Sequence, residues 1–131
     1  MSKYLLAFFL YAASCCAVAQ DACEKAYTTP EINACARKDL DRADAALNSM
    51  YQSVLTRLTK ASKDEPESGE AKLQLIAAQR EWVRFREDDC QAIFTLWRTG
   101  TIRTLQYLTC MQSHAEQRTK ELHNYVPDSK P

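Results

Sequence analysis

Cysteine is the residue type in this sequence with the most chemistry to offer, and its spacing decides which chemistry that is. Six cysteines occur, at 15, 16, 23, 35, 90 and 110. Structural zinc takes thiolates in close pairs, two to four residues apart. Cys23, Cys35, Cys90 and Cys110 are far more widely spaced. The adjacent Cys15 and Cys16 fall in a segment expected to be removed, and no Cys-x-x-Cys-His is present to attach a haem. Four remaining cysteines in a short exported chain read as two disulfides in an oxidising compartment.

A hydrolase would need a base beside its nucleophile. The two histidines, His114 and His123, stand nine positions apart, so one helix would point them to different sides; they read as solvated surface residues. No Gly-x-Ser-x-Gly elbow and no glycine-rich phosphate loop occurs. Glu87, Asp88 and Asp89 lie near Arg80, Arg84 and Arg86. That arrangement suits helical ion pairs, Arg80 or Arg84 with Glu87 or Asp88 and Arg86 with Asp89, better than a general acid. The chain reads as a binding protein without cofactor or metal, not an enzyme.

These residues need elements to carry them. Residues 1–19 read as a signal peptide, with Lys3, an apolar run from Tyr4 to Ala13 and the small-x-small site Ala17-Val18-Ala19. The run is too short for a stop-transfer helix. The alternatives are an uncleaved anchor and lipidation at Cys15 or Cys16, and once the segment is cleaved only lipidation would attach the protein to a membrane. Removing residues 1–19 takes Lys3 and no acid, so 17 basic and 17 acidic residues become 16 and 17, a net charge of −1. Such a balance provides no field for nucleic acid.

Residues 20–131 form one expected domain. No stretch sustains a period of two, so no sheet is expected. A first helix starts near Pro30, with Thr28 and Glu31 placed for a capping box. Its stripe is Ile32, Cys35, Ala43, Leu47, Met50, Tyr51, Val54 and Leu58. Residues 61–69 form the longest exposed loop, and a second helix runs from about Glu70 to Trp97. Its stripe is Leu73, Ile76, Val83, Cys90, Ile93 and Trp97, with Leu75, Trp82, Phe85 and Leu96 to one side. Gly69 and Gly100, the two glycines, fall where helices end. A third helix carries Ile102, Leu105, Leu108, Met111, Ala115 and Leu122 and stops before Pro127. Asn48 and Gln79 lie beside these stripes, placed to hydrogen-bond across a helix interface or to lie half exposed. Cys90 and Cys110 stand ten residues either side of Gly100, at one height on an antiparallel hairpin. They are expected to pair, leaving Cys23 with Cys35. The expected fold is all-α: an antiparallel bundle of three main helices stapled by two disulfides.

The sequence resembles the LprI-type lysozyme-inhibitor domain family, small exported helical domains of bacteria. The likeness runs through Cys23, Glu31-Ile32-Asn33-Ala34-Cys35-Ala36, Asp44-Ala45-Ala46-Leu47-Asn48 and Tyr51. It is strongest over Ala78-Gln79-Arg80-Glu81-Trp82-Val83-Arg84-Phe85-Arg86 with Cys90, and closes with Gly100, Cys110, Arg118 and Leu122. Two features depart: Arg98-Thr99-Gly100-Thr101 stands where the family often has a Gly-Gly-Ser-like turn, and Ala115 replaces a common threonine. The resemblance implies a periplasmic or secreted protein whose partner is another protein, lysozyme among the candidates. The motif residues Asn33, Asp44, Leu47, Asn48, Tyr51, Gln79, Arg80, Trp82, Phe85, Arg86 and Arg118 read as structural, with Trp82 in the core and Arg80 and Arg86 paired to acids such as Asp44. Animal lysozymes are basic with an acidic catalytic cleft. An inhibitor would offer acids to the rim, and Asp64, Glu65, Glu67 and Glu70 are the acids suited to that. The alternative function is an envelope structural or protein-interaction domain without lysozyme contact.

Overall fold

A computed structural model describes residues 23–125. The expected signal segment, with Cys15 and Cys16, and Pro127 lie outside the described residues. Three long helices follow one another: α1, Thr29–Ala61; α2, Pro66–Leu96; and α3, Arg103–Leu122. A 3-10 turn, His123–Tyr125, ends the described chain. No strand is found among the described residues.

The start of α1 matches the sequence reading closely. The Thr28 hydroxyl accepts from the Glu31 N–H at 3.4 Å, while Glu31 Oε2 accepts from the Thr28 N–H at 2.9 Å. These reciprocal bonds satisfy N–H groups that a helix leaves unpaired at its first turn. Glu31 Oε2 also accepts from the Tyr27 N–H at 3.1 Å. Together the bonds hold the Glu31 carboxyl below its ordinary 4.5, the Thr28 backbone N–H having the largest effect, then its side chain, then the Tyr27 N–H.

The start of α2 differs from expectation. It begins at Pro66, not near Glu70, and the loop shrinks from 61–69 to 62–65. Proline fixes a helical φ and lacks the N–H that a first turn could not pair, so Glu65-Pro66-Glu67 starts a helix. Acidic Glu67 in that turn complements the helix dipole. Gly69 consequently lies inside α2, where a Cβ would meet the Ser62 Cβ at an ordinary 3.4 Å. At the other end α2 stops at Leu96, before Gly100, whose φ is not positive.

The core sits between α1 and α3, with α2 completing it. α3 packs most extensively on α1, next on α2, and α1 meets α2 least. One cluster joins Ala43, Leu47 and Val54 of α1, Leu75 of α2, and Ala115 and Leu122 of α3. A second joins Ala36, Leu40 and Leu108. The α1 and α3 stripes are largely as expected, except that Ile102 is exposed. The α2 stripe is not. Leu73, Val83 and Trp97 face water, Leu73 at 69% exposure, whereas Leu75 is 1% exposed. The buried line of α2 passes through Leu75, Gln79, Trp82, Arg86, Cys90 and Ile93. Two polar residues on that line displace the apolar pattern from the packed face.

Both expected disulfides are present. Cys23–Cys35 has its Cα atoms 5.7 Å apart and Cys90–Cys110 5.6 Å apart. The first ties the leading segment to α1, and the second clamps α2 to α3.

Candidate functional site

The family-motif residues converge on a polar seam through the middle of the bundle. Arg86, only 7% exposed, occupies what would ordinarily be an apolar core position of α2. Its Nε and Nη2 donate to the Met111 carbonyl of α3 at 3.1 and 2.7 Å. Nη2 also stands 2.8 Å from Asp44 Oδ1 of α1. That carboxylate oxygen is held by charge at close range without an aligned hydrogen bond. One guanidinium thus touches both other helices.

Trp82, one turn before Arg86, packs half-buried against the larger core cluster. The Arg86 guanidinium lies 5.5 Å from its ring centre and that of Arg118 lies 6.0 Å away. Arg118 Nε donates to Gln79 Oε1 at 3.0 Å, and its Nη1 meets Glu121 Oε2 at 3.1 Å. Stacking a guanidinium on an indole face leaves its N–H edge free for such bonds. The seam is therefore Asp44, Arg86, Trp82, Arg118, Gln79 and Glu121, with charges balanced and partners internal. The expected pairing of Arg86 with Asp44 and the cross-helix role of Gln79 both hold.

Other expectations are corrected. Arg80 is exposed and makes no ion pair among the described residues, since it sits one position off the buried line. Arg84 pairs with Glu81 at 3.3 Å, not with Glu87 or Asp88. Asp89 meets His114 Nε2 at 2.9 Å instead of Arg86. His114 is consequently half-buried, in edge-to-face contact with Phe85 at 5.5 Å, while His123 is exposed. Phe85 itself is largely exposed. Of the remaining motif residues, Leu47 is buried, Asn33 and Tyr51 are half-buried, and Asn48 is exposed on α1 rather than bonded across an interface. Asn33 Oδ1 is buried without a hydrogen-bond partner.

Asp89, Cys90, Cys110 and His114 bring one donor atom each within 4.8 Å of the others. The two sulfurs are bonded to each other, so the thiolates that zinc would require are not there. Tyr107, on the same hairpin, has its hydroxyl pushed up by burial and then by donating to Glu87 Oε1 at 2.8 Å. No nucleophile with an adjacent base emerges from these contacts.

The acids Asp64, Glu65, Glu67 and Glu70 are exposed, in the loop 62–65 and the first turns of α2. Two already serve local structure: Glu65 accepts from Ser68 Oγ at 3.2 Å and Glu70 from Gln74 Nε2 at 3.1 Å. An open cavity of about 460 Å³ near this end is lined by Lys60, Lys63 and Lys72 among others. Those lysines offset the acids' field.

Sequence reasoning missed the Met111 carbonyl as the Arg86 acceptor, Glu121 and the Asp89–His114 pair. A backbone carbonyl leaves no trace in side-chain pattern. The signal that was present lies in the spacing Gln79, Trp82, Arg86, Cys90, steps of three and four that mark one helix face.

The fold and seam define a small, disulfide-bridged helical domain with a polar network inside its bundle. The sequence profile of the family described as "Lysozyme inhibitor LprI" matches residues 19–122. The chain belongs to the LprI family. An uncharacterized protein of Rhizobium meliloti (strain 1021) is 29% identical over 104 residues, 76% of this chain and 75% of that relative. No solved structure matches.

Proposed function

We propose that this protein is an exported inhibitor of lysozyme that binds the enzyme in the periplasm or outside the cell and so spares peptidoglycan. The observation that carries the reading is the family match, which spans both disulfides and all three helices. Two further features support it. The bridges suit an oxidising compartment, and a pre-ordered bundle loses little entropy on binding. Among the described residues, no helix is long and apolar enough to cross a membrane. The test is lysis of a peptidoglycan suspension by animal and bacterial lysozymes with excess disulfide-intact protein. Dose-dependent slowing supports the reading, and unchanged rates with every lysozyme refute it.

A second reading, an envelope interaction domain without lysozyme contact, is favoured by the exposed Leu73, Val83 and Phe85 of α2. Crosslinking in periplasm that recovers a protein other than lysozyme, together with failed inhibition, would establish it instead.

A further inference from the structure

We propose that the turn between α2 and α3, residues 96–103, is the surface that enters the acidic cleft of lysozyme; the inference rests on the inhibitor reading above.

Three large apolar side chains crowd this tip and face water: Leu96 at 76% exposure, Trp97 at 42% and Ile102 at 39%. Their neighbours are cationic. Residues 90–115 contain Arg98 and Arg103 and neither Asp nor Glu. Arg98 is exposed and has no carboxylate partner among the described residues. The tip is thus an apolar prong with positive charge on a chain close to neutral overall.

The prong is also stiff. Arg103 lies 5.3 Å over the Phe94 ring and donates through Nη1 to the Arg98 carbonyl at 3.2 Å, closing the turn. Below it Phe94 meets Tyr107 edge-on at 6.1 Å, and the Cys90–Cys110 bridge clamps the two helices. Binding such a turn orders little that is not already ordered.

The complementary surface is a glycosidase cleft. Enzymes that cut glycosidic bonds set two carboxyl groups about the scissile bond, which concentrates negative charge in a groove shaped for a sugar chain. A narrow tip bearing Trp97 and Arg98 presents the residue types that dominate interface energies. Asp64, Glu65, Glu67 and Glu70 lie at the far end of α2, Pro66–Leu96, and at ~1.5 Å per residue stand about 40 Å or more from Leu96. They cannot share one cleft with the tip.

The test compares inhibition of an animal lysozyme by the full disulfide-bonded protein, by Arg98→Glu, by Leu96→Ser, and by the combined Asp64→Asn, Glu65→Gln, Glu67→Gln and Glu70→Gln variant. Far-UV circular dichroism checks that each is folded. Arg98→Glu should raise the half-inhibitory concentration more than about tenfold and Leu96→Ser in the same direction, with the acid variant changed by less than about threefold. Chitotriose, which occupies the cleft, should compete with binding. Folded tip variants that inhibit as well as the parent, loss confined to the acid variant, or no competition by chitotriose would each overturn the proposal. Failure of the unaltered protein to inhibit would strike the inhibitor reading itself.

Discussion

Replacing Arg86 with methionine tests whether the polar seam holds the bundle together. Methionine extends only as far as the Nε position but fills irregular space well, so the change removes the guanidinium while keeping the apolar stem packed. What is lost begins with the hydrogen bonds to the Met111 carbonyl. A bond from a charged donor contributes about 1.5–3 kcal/mol net, and two donors on one acceptor count as one such contribution. The Asp44 contact adds less than a fully buried pair would, because the Asp44 side chain is 38% exposed although its Oδ1 is buried. Stacking on Trp82 supplies a further ~0.5–1 kcal/mol, and burial of the methionine thioether offsets a similar amount. The net expectation is a loss of about 2–3 kcal/mol, a fall in Tm on the order of 10–20 °C for a domain of this size. Urea unfolding followed by circular dichroism, with disulfides intact, measures it as a lower midpoint at unchanged slope. In a double-mutant cycle Asp44→Asn should cost less when Arg86 is already methionine. A loss below about 0.5 kcal/mol for Arg86→Met would refute the reasoning, since that is the scale of ordinary surface changes.

Three further outcomes follow from the same geometry. Leu75→Ala should destabilise by about 2–5 kcal/mol while Leu73→Ala stays within about 0.5 kcal/mol; equal losses in urea unfolding would mean that the buried line of α2 is wrongly placed. Under dithiothreitol, alkylation and mass spectrometry should find Cys23–Cys35 opened before Cys90–Cys110, because Cys90 is fully buried while Cys23 and Cys35 are partly accessible; replacing Cys90 and Cys110 by serine should cost about 3 kcal/mol from its 20-residue loop. The Glu31 carboxyl titrates lower in the folded state than its ordinary 4.5. Its stabilisation is therefore full above that ordinary value and disappears as pH falls through the folded one, so acid unfolding of Glu31→Gln should show a shallower pH dependence than the parent between about pH 6 and 2.

The helical class, the three helices and the Cys90–Cys110 pairing were legible because each rests on a regular interval, and Cys23–Cys35 followed by elimination. Thr28 and Glu31 announce their helix start through a local motif, and Cys90 and Cys110 are equidistant from one glycine. The start of α2 was less legible: Asp64, Glu65 and Glu67 around Pro66 have the composition of a loop, yet proline and acids also suit a first turn. The buried face of α2 was obscured because Gln79 and Arg86 occupy it, and hydrophobic periodicity gives them no weight. Arg86 is sheltered by a carbonyl, a carboxylate and an indole from three points of the bundle, a combination only tertiary structure assembles. Asp89 and His114 likewise meet across the hairpin, 25 positions apart in the chain.

The covalent links and the most extensive packing fall on different helix pairs. Sulfur joins the leader to α1 and α2 to α3, whereas α3 rests chiefly on α1. Among the described residues, no covalent bond between side chains therefore locks α1 against the clamped hairpin. If the seam and the apolar packing of α1 on α3 both give way, α1 separates about the short 62–65 connection with its disulfide-tied leading segment, and α2 and α3 stay fastened. Oxidised protein would then reclose from a state that already has two of its three neighbours in register, which makes opening at that joint cheap to reverse.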